Sequence, residues 1–456
     1  MTRLKRALSA ILLSGLPICN PSPALAQDSA APAPAPEDKA PEVHEQKFAV
    51  HAQETFVLQA NAGFRSPYQG PNSLDSRAHA KETFDLTLYV GFRPWSGAEI
   101  WADPEIDQGF GLGDTLGIAG FPSGEAYKVG KLHPYAKVHR WFLRQTINLG
   151  GASENVDPDL LVLSGKHRKN RLVLTVGKFG VVDIFDTNGV AHDPRGDFLN
   201  WSIIDAGTFD YAANAWGYTY GAAAELYLGR WTLRGGMFAL SKVPNGEQLD
   251  SSFRQFEADG EVEERHTILG QPGTLRLTFF LNHGRMGRFD DAIALAQKSG
   301  GAPDTAAVRR VNNRAGLSFN AEQQLSKSVS VFLKGGIADG NIEPYEFIDT
   351  DRSIAGGISI KGSSWKRADD TLGIAATAND ITSVHRRYLA LGGLGILVGD
   401  GQLPNPGPEQ ILEVYYDVAL AKQLHLTVDG QLVNHPAYNR DRGPIPVGAV
   451  RLHAQF

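Results

Sequence analysis

Gly448-Ala449-Val450-Arg451-Leu452-His453-Ala454-Gln455-Phe456 closes this chain, and its residues alternate. Reading back from Phe456, one face carries Ala454, Leu452, Val450 and Gly448. The other carries Gln455, His453, Arg451 and Ala449. Free termini fray, so an exposed aromatic at the last position does little for a water-soluble fold. A strand that is apolar on one face, polar on the other and aromatic at its end suits a wall between lipid and water. The stretch predicts an all-β chain, a transmembrane antiparallel β-barrel of the outer-membrane type.

The same period of two recurs upstream. Leu412, Val414, Tyr416, Val418 and Leu420 alternate with Glu413, Tyr415, Asp417 and Ala419. Phe84, Leu86, Leu88, Val90 and Phe92 alternate with Asp85, Thr87, Tyr89 and Gly91. Leu275, Leu277, Phe279 and Leu281 do so with Arg276, Thr278 and Phe280. Such segments approach the roughly 9–11 residues that a tilted membrane strand needs. Four connections are tight, at 94–97, 229–230, 326–327 and 421–423. Others are long and rich in Gly, Pro and Asp: 64–81, 106–131, 180–214, 285–312, 339–352, 380–408 and 435–446. With the C-terminus in the periplasm, strands assigned backwards start near 447, 424, 410, 370, 353, 328, 313, 273, 252, 231, 215, 171, 132, 98, 83 and 52. All the tight turns then fall on the periplasmic side and all the long loops outside, the asymmetry these barrels show. About sixteen strands result, enough to leave an aqueous channel.

The N-terminus agrees. A basic head (Arg3, Lys5, Arg6), an apolar stretch from Ala7 to Ile18, and Ala24-Leu25-Ala26 make residues 1–26 a secretory signal cleaved after Ala26. The apolar core is too short to span a bilayer, which takes about 20 helical residues. Cys19, the only cysteine, lies inside the signal, so the mature chain is expected to carry no disulfide or thiolate site. Residues 27–50, with Ala31-Pro32-Ala33-Pro34-Ala35-Pro36, read as a disordered Ala/Pro-rich leader. The barrel domain is assigned to 51–456.

Only 42% of the residues are hydrophobic and 50 are glycine, as expected where half of each strand faces a polar lumen. A formal charge of −6 lacks the basic excess of a nucleic-acid binder. No G-x-S-x-G, H-E-x-x-H or phosphate-loop pattern occurs. The chain is therefore read as a non-enzyme without metal or cofactor. Gly109-Phe110-Gly111-Leu112-Gly113 has the wrong spacing for a nucleotide loop and reads as an outer loop.

Alternation then yields a lumen inventory. Glu99, Trp101, Asp103 and Glu105 point inward from one strand, Arg140 and Arg144 from the next. Arg234, Arg276, Glu413, Asp417, Asp429, Gln431 and Arg451 also point inward. Mixed charge opposes strong ion selectivity. It offers hydroxyl-rich neutral solutes many charge-assisted hydrogen bonds. Aromatic faces such as Trp101 and Tyr89 can take the C–H face of a pyranose, and arginine forks suit vicinal hydroxyls.

The tail Glu409-Gln410-Ile411-Leu412-Glu413-Val414-Tyr415-Tyr416-Asp417, followed by Leu426-Thr427-Val428-Asp429-Gly430-Gln431-Leu432-Val433-Asn434-His435-Pro436, resembles the OprB-type family of carbohydrate-selective porins. Tyr68–Leu74, Gly97–Glu105, Gly117–Pro122, Gly356–Gly362 and Arg367–Gly373 follow that family's style in order. The stretch 240–310 matches nothing recognisable. The resemblance implies a sixteen-stranded outer-membrane porin that passes monosaccharides, glucose-like sugars, by diffusion. It also implies a constriction where arginine and glutamate contact the sugar. Glu99, Glu105, Arg140 and Arg144 are the best matches, with Trp101, Arg234, Asp429 and Gln431 as further candidates. The alternative is a general or weakly ion-selective diffusion porin of the same architecture. Expected partners are small neutral sugars, outer-membrane lipid and, through Phe456, the barrel-assembly machinery. Monomer and homotrimer both remain open.

Overall fold

A computed structural model describes residues 45–456. The signal at 1–26 and most of the leader lie outside the described residues. Sixteen strands close into one antiparallel barrel. They are β1 (Phe48–Asn61), β2 (His79–Phe92), β3 (Ala98–Gly109), β4 (Lys131–Val156), β5 (Gly165–Phe179), β6 (Thr219–Leu228), β7 (Trp231–Ala239) and β8 (Phe256–Ile268). They continue as β9 (Gln271–Met286), β10 (Arg310–Ser326), β11 (Val329–Ala338), β12 (Arg352–Gly362), β13 (Arg367–Asp380), β14 (Glu409–Ala421), β15 (Leu424–Asn434) and β16 (Ile445–Gln455).

Every strand pairs with its chain neighbours, and β16 closes on β1 with Phe56 opposite Leu452 and Leu58 opposite Val450. Closure leaves no unpaired edge, which lipid would not tolerate. The terminal residue joins in, since Phe456 N–H donates to the Ala52 carbonyl at 2.8 Å. The start of β1, the end of β16 and the tight turns share one end, the periplasmic end in such barrels.

The alternation sorts as expected. Leu412, Val414, Leu432, Val450 and Leu452 are exposed on the outer wall, while Glu413, Asp429, Gln431 and Arg451 are buried on the inner one. Five strand starts differ by four residues or more, among them β2, which begins at His79 rather than near 83. β1 begins at Phe48 rather than near 52, because Phe48 and Val50 extend the lipid-facing row. β6 and β8 begin at Thr219 and Phe256, later than 215 and 252. β5 begins at Gly165, well before 171, since β4 runs on for 26 residues and pairs with it. Two outer loops also contain helices, Phe289–Ser299 and Ser383–Ala390, which pack through Phe289 on His385 at 4.2 Å.

The lumen is filled by the connection 180–218, which folds inward and buries Phe185, Phe198 and Ile203 completely. Side chains on the wall hold its main chain. Glu413 accepts from the amides of Leu199 at 2.5 Å and Asn200 at 3.0 Å. Lys334 donates to the carbonyls of Ala191 at 2.8 Å and Ile204 at 2.6 Å. Arg451 donates to the carbonyls of Pro194 and Asp197, at 2.5 and 2.8 Å. A second loop, 110–130, is held by Glu409, which accepts from Ala119 N–H at 2.9 Å and Gly120 N–H at 2.8 Å. Each charged bond of this kind contributes about 1.5–3 kcal/mol.

Candidate functional site

The inward loop and the β1–β4 wall enclose a cavity of about 570 Å³ with charged and aromatic lining. That size lies within the usual range for small-molecule sites. Two guanidiniums dominate its wall. Arg140 on β4 forms a fork with Asp183 of the loop, Nε to Oδ2 at 2.8 Å and Nη2 to Oδ1 at 2.7 Å. It also reaches Asp103 on β3 at 2.9 Å and lies over the Tyr218 ring at 4.7 Å.

Arg195 comes from the loop itself. In Asp193-Pro194-Arg195-Gly196-Asp197, the Asp193 side chain accepts from Arg195 N–H at 2.9 Å. Asx turns of this kind are what Asp-Pro-x-Gly favours, and the turn projects Arg195 towards β2 and β3. Its guanidinium lies 3.2 Å from Asp85, 3.4 Å from Glu105 and 3.3 Å from Glu125. Three buried carboxylates thus share one cation.

Aromatic faces complete the lining. Phe121 stacks on Trp201 with centroids 4.8 Å apart, and Phe347 lies 5.5 Å from Trp201. Asn200 caps the short helical turn Trp201–Ile204 by accepting from Ser202 N–H at 3.1 Å, which fixes the indole. Charged forks, carboxylates and ring faces around one cavity suit a hydroxylated ring with one apolar side.

Asp205 also lines the cavity. Burial pushes its carboxyl up to about 7, against the opposing pull of Lys334. Burial likewise raises Asp183, but the Arg140 guanidinium more than reverses it and leaves this carboxyl below its usual value.

Glu105, Arg140 and Arg144 all reach this cavity. Trp101 does not: it is fully buried, with its ring pressed on Gly91, where a Cβ would lie 2.4 Å from the indole. Its face is therefore not open to a sugar, contrary to the sequence reading. Glu99 accepts from Trp101 Nε1 at 3.1 Å and pairs with Arg93 at 3.3 Å and Arg144 at 3.4 Å. Arg234 sits elsewhere, in a network with Glu225, Glu261 and Glu263 at 3.0, 2.6 and 2.9 Å. Asp429 and Gln431 lie behind the inward loop. Gln431 donates to the Pro122 carbonyl at 2.8 Å and accepts from Asn200 at 3.1 Å. Sequence reasoning missed Arg195, Asp183, Glu125 and Trp201, all on connections without periodicity.

A family model described as carbohydrate-selective porin, OprB family, matches residues 72–456. The chain belongs to that family. This OprB-family porin is also similar in fold to the high-pH structure of Pseudomonas putida OprB, with a TM-score of 0.67 and 14% identity over 90% of this chain and 94% of the other. The outer membrane channel DcaP of Acinetobacter baumannii aligns with a TM-score of 0.51 and 10% identity over 90% of this chain and 97% of the other. No curated protein matches it. Family and barrel together make the protein an outer-membrane porin of the carbohydrate-selective kind, a class of channel proteins.

Proposed function

We propose that this porin passes neutral monosaccharides of the glucose type by passive diffusion through the cavity between the inward loop and β1–β4. One observation carries the reading: the guanidiniums of Arg140 and Arg195 and the stacked Phe121–Trp201 pair line the same cavity. The arginines, with Glu105 and Asp183, exchange hydrogen bonds with sugar hydroxyls, and the indole takes the C–H face. Arg144 acts below them. Arg234, Asp429 and Gln431 are assigned to the wall and to loop support. Export through cleavage after Ala26 and assembly through Phe456 complete the proposal.

Swelling of proteoliposomes tests it. Glucose is expected to enter faster than a zwitterion of equal size, and equal rates would refute sugar preference. The mixed charge of the cavity favours, as second reading, a general porin of weak ion selectivity. In planar bilayers glucose should lower the ion current under the first reading and leave it unchanged under the second.

A further inference from the structure

β4 and β5 outrun the barrel. β3 pairs with β4 no further than Gln145, and β6 pairs with β5 no further than Arg171. The residues beyond, 146–156 and 165–170, have only each other as strand partners. A lone two-stranded ribbon is marginal in water, so it needs another support. The ribbon finds it by turning back. Its register slips around Gly150, and Gly150 and Gly151 carry φ of 145° and 83°, a bend that suits glycine.

The tip then enters the periplasmic mouth. Asp159 and Val162 exchange backbone bonds at 3.0 and 3.1 Å, which puts Leu160 and Leu161 at the corner of a tight turn. Leu160, Leu161 and Val162 bound the same cavity that Arg140 and Arg195 line, at the end shared with Gln455. Leu163 is buried in the barrel core. Wall side chains hold the tip by its main chain. Arg144 donates to the Leu161 carbonyl at 2.8 Å. Arg93 donates to the carbonyls of Ser164 at 3.1 Å and Leu163 at 3.3 Å. Glu99 sits between the two arginines and pairs with both.

We propose that this tip is a second, periplasmic sieve, in which Leu160 and Leu161 set the largest solute that leaves the cavity, and Arg93, Glu99 and Arg144 are its positioning residues. It rests on the cavity being the solute path and needs no preference for sugars. An apolar corner offers a solute no hydrogen bonds, so it selects by size, while the arginines above select by chemistry.

Two measurements on the full chain in planar bilayers test this. In the first, 149–170 is replaced by Asn-Gly, joining the register partners Asn148 and Arg171 through a tight turn. Graded neutral polyethylene glycols are added on the periplasmic side. Higher conductance and entry of larger polymers are expected; an unchanged conductance and cut-off would overturn the sieve. In the second, which leaves the ribbon whole, Leu161→Cys is treated from the periplasmic side with a bulky thiol reagent. A drop in current is expected, and an unaffected current with proven labelling would overturn the proposal even if the trimmed barrel fails to assemble. Should trimming raise the cut-off while wild-type liposomes admit glucose and zwitterions equally, the sieve stands and the sugar reading falls.

Discussion

Arg140 and Asp183 meet in a two-bond fork, 2.8 and 2.7 Å, between a barrel strand and the loop that fills the barrel. The fork places the loop's first turn and holds the guanidinium over Tyr218. Asp183→Asn keeps the shape but removes the charge and one acceptor. The local stability of the loop is expected to fall by about 1–3 kcal/mol. Amide hydrogen exchange across 180–218 should quicken, and open-channel current should become noisier.

Among the described residues, Arg195 is the only arginine or lysine paired with Asp85, Glu105 and Glu125, and His139 lies beside Glu105. Arg195→Ala leaves those carboxylates, of which Glu105 and Glu125 line the cavity, with their positive partner gone. The channel should become cation-selective, seen as a shifted zero-current potential in a salt gradient, and inhibition of the current by glucose should weaken. Arg234→Ala is the control. It disturbs a network outside the cavity and should alter thermal stability more than selectivity.

Glu413 bonds two amides of the loop from 0% exposed surroundings, with no guanidinium or ammonium among its hydrogen-bond partners. Glu413→Ala orphans both donors. A loss of about 2–6 kcal/mol is expected, from two buried amides left without an acceptor. The temperature at which the folded, fast-migrating band converts to the unfolded one on gels should drop, and conductance should rise as the loop leaves the lumen.

These three residues show what could be read from the chain alone. The barrel was legible because lipid imposes a period of two, so Leu412 and Glu413 declare opposite faces whatever else surrounds them. Alternation also aimed Glu413, Asp429 and Gln431 inward correctly. It could not tell whether water or protein would meet them there. That depends on contacts such as Glu413 to Leu199, between segments far apart in the chain, and no local pattern encodes it. Arg195 and Asp183 were invisible for the same reason, since their direction is set by an Asx turn and a strand partner. Alternation aims Trp101 inward but does not say whether its ring is open to the lumen. Gly91 opposite it has no side chain, and the indole occupies that space.

Asp205 gives the cavity a pH dependence. With its carboxyl pushed up to about 7 by burial, it is neutral in mild acid and gains its charge as pH rises through neutrality. Cation preference should therefore grow between pH 6 and pH 8. The folded state binds the proton more tightly than the unfolded one, so this group's contribution to stability declines over the window from its ordinary value, 3.8, up to about 7. Asp205→Asn should flatten the selectivity change. His192, 3.6 Å away, has its own value lowered by burial and by Lys334. A selectivity change that persists in Asp205→Asn would assign the titration elsewhere.

Phe456 separates stability from assembly. Its ring is 70% exposed on the lipid side, so the side chain buries little against the barrel itself. Its main chain bonds Ala52 through both its N–H and its carbonyl, at 2.8 and 3.1 Å. Phe456→Ala keeps those bonds and should leave the melting of refolded barrel in detergent nearly unchanged. If the ring is what the assembly machinery reads, the same substitution should sharply reduce heat-modifiable protein in the outer membrane of cells. Normal amounts in cells would remove that role from Phe456 and leave it as the last lipid contact of β16.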